Sequence, residues 1–180
     1  MTRRLSCLFT LAASVLLTAA VAAAQPPGPK PAPEMSQIAF FEGTWACEGK
    51  MPATPMGPAG TMTSTAEVRR ELDGFWQAGV IKGSGPGLPS FEGRFYVTYD
   101  PSAKQYVMLW VDSMGAWSRS TATAWKGDTI VYEGDMHIAG QSFKARDTFT
   151  RAGAGAMKHV GEAQFGDKWM TTFEESCKKK

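Results

Sequence analysis

The chain has 180 residues, 43% of them hydrophobic, with 19 Lys and Arg against 17 Asp and Glu and a formal net charge of +2. Charge this nearly balanced, with no basic stripe beyond Lys178 to Lys180, argues against nucleic acid or an anionic membrane surface as a partner. The two histidines fall on opposite strand parities and two of the three cysteines can pair as a disulfide, so no tetrahedral metal set is expected.

In chain order, Met1 to Ala24 reads as a secretory signal: Arg3 and Arg4, then an alanine- and leucine-rich run, then Ala22-Ala23-Ala24 before Gln25. Its removal predicts a periplasmic or secreted protein with no integral membrane segment. Taking 24 from 180 residues leaves 156, a size that suits one domain. Losing Arg3 and Arg4 also takes Lys and Arg from 19 to 17, equal to the 17 acidic residues. Residues 25–35 form a proline-rich leader, "QPPGPKPAPEM", expected to be an extended tether. Residues 36–180 then form a single domain. Ser36 to Phe41 predicts one short helical turn with Ser36 as its N-cap.

Everything downstream punctuates at strand spacing. Strands are expected near 44–50, 61–71, 75–83, 93–99, 105–112, 117–125, 129–138, 142–151, 157–165 and 168–177. Between them stand turn sequences such as Leu72-Asp73-Gly74, Asp100-Pro101-Ser102, Lys126-Gly127-Asp128 and Gly166-Asp167. About ten strands joined by tight turns make an all-β antiparallel meander, and a flat sheet of that size would leave two raw edges, so it should curl into a closed barrel. Closure of an even number of strands sets the first antiparallel to the last. Cys47 and Cys177 then fall in one neighbourhood, where an oxidising compartment lets them pair; the alternative is two free thiols.

The strand Gln105 to Asp112 is apolar on both parities, with Val107, Leu109 and Val111 on one and Tyr106, Met108 and Trp110 on the other. One set belongs to a barrel interior wide enough for side chains or one small ligand. The other needs a cover, either the Ser36 to Phe41 turn or a partner subunit, which makes a homodimer an open expectation.

The stretches "FEGTWACEGK" (41–50), "ELDGFW" (71–76), "YDPSAKQYV" (99–107) and "WVDSMG" (110–115) resemble the uncharacterised bacterial family known as domain of unknown function 1579. The resemblance spans most of the chain after Met35 and implies a roughly ten-stranded calycin, or lipocalin-like, β-barrel with no established activity. Its Gly43-Thr44-Trp45 element also occurs in lipocalins, fatty-acid-binding proteins and nitrobindin-like haem barrels. In lipocalin-like barrels the tryptophan of the first strand plugs the closed end, and Trp45 matches that position.

Parity separates the two histidines. His137 sits with Glu133 and Asp135 on a polar outer face, whereas His159 shares its parity with Met157, Gly161 and Ala163. On the preceding strand Phe143, Ala145, Asp147 and Phe149 form the apolar set, and a turn centred on Gly153 sets Asp147 opposite His159. The next hairpin conflicts: a two-residue Gly166-Asp167 turn pairs His159 with Glu174 and throws Trp169 and Phe173 to the other side. Either that hairpin holds a bulge or His159 points outwards. Asp112 ends the two-faced strand, either capping a turn or lining a barrel entrance with Arg119 of the next strand.

Trp110, Asp112, Arg119, Asp147 and His159 are therefore the candidate ligand-binding residues. With so few catalytic side chains and no cofactor motif, the expected role is binding a small apolar or amphipathic molecule inside the barrel rather than catalysis. Open alternatives are a haem-type cofactor held by His159, an acid and base pair of His159 and Asp147, and a structural or partner-binding barrel without ligand.

Overall fold

A computed structural model describes residues 28–55, 57–86 and 88–180. The signal expectation at 1–24 lies outside the described residues. Ten strands follow one 3-10 helix: β1 Gly43–Met51, β2 Gly60–Glu71, β3 Trp76–Gly85, β4 Leu88–Asp100, β5 Gln105–Asp112, β6 Trp117–Ala122, β7 Thr129–Ile138, β8 Gln141–Arg151, β9 Ala156–Phe165 and β10 Lys168–Lys179. Each pairs antiparallel with its neighbour in sequence, and β1 pairs with β10, closing the barrel. No helix among the described residues is long and apolar enough to cross a membrane.

At the seam Cys47 stands directly opposite Cys177, and the two sulfurs are bonded across 130 residues of chain. The closed barrel and the disulfide thus arise from the same pairing. β4 begins five residues earlier than its turn signals suggest. Leu88 pairs with Gly85 through an irregularity that carries the strand past the prolines.

The N-terminal helix spans Pro33–Phe41, three residues longer at its start than Ser36 predicts. Pro33 presets the helical φ at the first position, and a 3-10 repeat of three residues brings Met35, Ile38 and Phe41 onto one buried face. Ser36 does not cap it: its Oγ donates back to the Pro33 carbonyl at 2.7 Å. The last residues of the proline-rich leader therefore pack instead of trailing free. Gly43, at φ 115°, turns the chain from the helix into β1 in a conformation that a Cβ would strain.

This helix closes one end of the barrel. Trp45 is 0% exposed beneath it and donates Nε1–H to the Phe41 carbonyl at 2.7 Å. Gln77 and Tyr106 donate to the carbonyls of Ile38 and Glu34 at 2.9 Å, and Arg151 donates to that of Gln37 at 2.7 Å. Four side chains from β1, β3, β5 and β8 thus clamp the helix over the end. The Phe41 carbonyl that accepts from Trp45 lies in the last turn, where a 3-10 helix has no further amide to offer. The helix does not cover the outer wall of β5.

Candidate functional site

The registers sort every inward side chain from every outward one. On β5 the inner set is Tyr106, Met108, Trp110 and Asp112, because these pair through Val97 and Phe95 of β4 and Ser118 and Ser120 of β6 with the rest of the interior. Leu109 and Val111 face outwards and are exposed. The core fills the closed half, from Trp45 and Ile38 through Tyr106, Ile130, Tyr132 and Met157. Toward the other end Phe95, Trp110, Phe143 and Phe173 point inwards and are still partly exposed. Solvent therefore enters the barrel from the end opposite the helix.

Those rings hug the wall. A Cβ at Gly79 would fall on the ring of Phe95, and one at Gly93 on the ring of Trp110. Phe91 over Gly83 and Phe173 over Gly161 repeat the arrangement. Each ring occupies the space that its cross-strand neighbour lacks a side chain to fill, so it lies against the sheet. Trp110 is held there by a second contact, its Nε1–H donating to Asp112 Oδ2 at 3.1 Å.

At the floor of this space sits a charged layer. His159 on β9 has Nε2 3.0 Å from Asp147 Oδ1 of β8 and Nδ1 3.0 Å from Glu175 Oε1 of β10. Ser64 of β2 donates Oγ–H to Glu175 Oε2 at 3.1 Å. The imidazole stacks on Phe149, ring centroids 4.0 Å apart, and meets the edge of Phe173 at 4.8 Å. Burial alone would push the His159 pKa down, but its hydrogen bonds to Asp147 and Glu175 and their negative charges outweigh it and lift the pKa to about 9. At neutral pH the ring is an imidazolium donating through both nitrogens.

Asp147 and His159 thus meet inside the barrel, though not as a directly opposed pair. Phe149 stands opposite His159 and Gly161 opposite Asp147, so the two touch on the diagonal. Parity alone does not reveal Glu175 and Ser64 as members of the layer. In β10 the register shifts between Thr171 and Phe173, making Thr172 the extra residue of a bulge, and past it Phe173, Glu175 and Cys177 share the inner face. This resolves the conflict at the Gly166-Asp167 hairpin in favour of an inward His159, with Glu175 rather than Glu174 opposite it. The disulfide carries the missing signal, since Cys177 must face Cys47 and Glu175 has its parity.

Asp112 caps the β5–β6 turn: its Oδ1 accepts from the Met114 and Ala116 amides at 2.9 and 3.0 Å. Arg119 does not join it. Paired with Leu109 and Asp135, it lies exposed on the outer face, because its odd number puts it out of phase with Ser118 and Ser120. His137 is also outside, stacked on Trp117 at 3.9 Å.

A haem iron needs a ring nitrogen with a free lone pair, and both nitrogens of His159 are turned to carboxylates, so the residues do not fit an axial ligand there. The same geometry denies His159 the role of general base. Cys47 and Cys177 lie close to Glu175, but their sulfurs are bonded to each other and are not thiolate ligands.

The family described as a protein of unknown function, DUF1579, matches residues 30–179. The chain belongs to the DUF1579 family. Among solved structures, this DUF1579 barrel is similar to Rv2717c from M. tuberculosis at 11% identity and a TM-score of 0.65, over 84% of this chain and 99% of that one. It is also similar to the S-type phycobiliprotein lyase CPES from Guillardia theta, at 11% identity and a TM-score of 0.59, over 81% and 91% of the two chains. At such identities the likeness is one of fold. No curated protein matches the chain.

Proposed function

We propose that this DUF1579 protein is exported and binds one small, mostly apolar molecule inside its barrel. The observation that carries this reading is the partial exposure of inward-facing Phe95, Trp110, Phe143 and Phe173 at the end opposite the helix, with the rings of Phe95, Trp110 and Phe173 laid against glycines of the wall. A barrel evolved only for stability would project such rings across the centre, since filling a cavity gains about 20 cal/mol per Å² of surface removed. The Met1 to Ala24 sequence and a disulfide suited to an oxidising compartment support export.

Nile red, a neutral apolar dye, tests the lumen. We expect one dye bound per chain and its loss in Ala145→Trp, which places an indole at an inward position between Phe143 and Asp147. Leu109→Glu, on the outer wall, should bind dye as the parent does. Binding that survives Ala145→Trp and disappears in Leu109→Glu would reject the reading.

A second reading, partner binding through the outer wall, is favoured by a contiguous exposed apolar face. Tyr96 pairs with Leu109 and Val111 with Trp117, and all four are exposed together with Met114 in the adjoining turn. Sedimentation across a concentration series should show a dimer that Leu109→Glu dissociates, and a monomer throughout would remove self-association.

A further inference from the structure

We propose that the lumen selects a positively charged ligand, an amphiphile whose amine or ammonium group docks on Asp147 while its apolar body lies along the aromatic wall. This rests on the lumenal reading above and names the class of molecule it admits.

The first support is the charge left over in the floor layer. A neutral imidazole has one N–H, yet each nitrogen of His159 faces a carboxylate oxygen at 3.0 Å, so the ring carries both protons and one positive charge between two negative ones. The layer keeps a net charge of −1. Glu175 spends Oε1 on His159 and Oε2 on Ser64. Asp147 spends only Oδ1, and its Oδ2 has no protein donor among the described residues. Its side chain is 27% exposed, against 11% for His159 and 8% for Glu175, so the uncompensated charge sits on the member that meets the lumen.

No protein cation among the described residues is placed to neutralise it. Arg151 lies at the closed end, stacked 3.7 Å from the Trp125 ring and donating to Gln37, and Lys179 lies over Trp45 at 5.1 Å. Lys168 is exposed at the β9–β10 turn. The remaining inward charge, Asp112 near the mouth, is negative and held by its turn.

A second inward polar group also lacks a partner. Ser120 faces inwards on β6, is 5% exposed, and its Oγ has no partner among the described residues. It is in register with Gly134 of β7 and so with Ala145 of β8, one inward position from Asp147. A hydroxyl left unpaired in a native interior calls for a partner. The wall suits the same class, because cations bind favourably over aromatic rings and no protein cation lies over Phe95 or Trp110 among the described residues.

Calorimetric titration of the full chain with 1-naphthylmethylamine, 1-naphthylmethanol and 1-naphthoate decides the matter, since the three share a flat apolar body and differ in charge. The amine should bind at least tenfold tighter than the alcohol, about 1.4 kcal/mol, with the carboxylate weakest. In Asp147→Asn the ratio of amine to alcohol should fall to within about threefold. An alcohol or carboxylate that binds as tightly as the amine overturns the charge preference and leaves the lumenal reading standing. Failure of all three to bind overturns both. If Asp147→Asn does not fold, the order of affinities in the parent protein still separates these outcomes.

Discussion

Replacing His159 tests the floor layer most directly, because its effect on stability must depend on pH in one direction. The histidine pKa rises from 6.5 to about 9 on folding. Its stabilising contribution is therefore complete below pH 6.5 and disappears as the pH climbs through 9. At ~1.4 kcal/mol per pKa unit, that interval corresponds to roughly 3 kcal/mol. His159→Gln removes the cation and leaves Asp147 and Glu175 as uncompensated buried charges, which costs about 3 to 5 kcal/mol at neutral pH. Urea unfolding of parent and variant at steps between about pH 6 and 9.5 should show the gap between them narrowing by roughly 3 kcal/mol as the parent loses its proton. Long-range 15N imidazole spectra give the titration midpoint independently. A midpoint at or below that of a free histidine, or a gap that does not change with pH, would refute the imidazolium between two carboxylates.

The disulfide closes 130 residues of chain, so Cys47→Ser with Cys177→Ser should lower stability to urea by about 5 kcal/mol in the loop-entropy account. A loss below about 1 kcal/mol would show that strand pairing alone sets the seam. Gly93→Val puts a side chain where the Trp110 ring lies; the ring must leave the wall, destabilising the barrel by about 1 to 3 kcal/mol and changing acrylamide quenching of tryptophan emission. Quenching identical to that of the parent would contradict the packing of Trp110. Trp45→Ala should cost about 3 to 5 kcal/mol through the cavity it leaves beneath the helix, and a thermal midpoint within a degree or so of the parent's would mean that Trp45 is not the plug.

The barrel is legible because its turns are written in glycine, proline and aspartate, and β5 and β7 coincide end to end with their sequence signals. Alternation then places Asp147 indoors, and for His159 it gives an inward position from one hairpin and an outward one from the next. It fails for Glu175, because a single bulge residue, Thr172, inverts the phase of β10, and nothing in "MTTFEES" marks that threonine as unpaired. Arg119 is drawn to the entrance by its closeness to Asp112 in sequence, yet the two stand on opposite faces of adjacent strands. The glycines under Phe95 and Trp110 are equally opaque. Their meaning is cross-strand, and it emerges only when the register brings ring and gap together.

Cys47 and Cys177 stand near the two extremes of the barrel, which makes it a hoop fastened by its final link. While a ribosome is still holding β10, the first strand has no mate on its far side, and nine strands are an open ribbon with two unmatched margins. Contacts so distant along the chain are slow to form. Closure therefore waits for the twelve residues of β10, and oxidation fastens the hoop only after they have arrived.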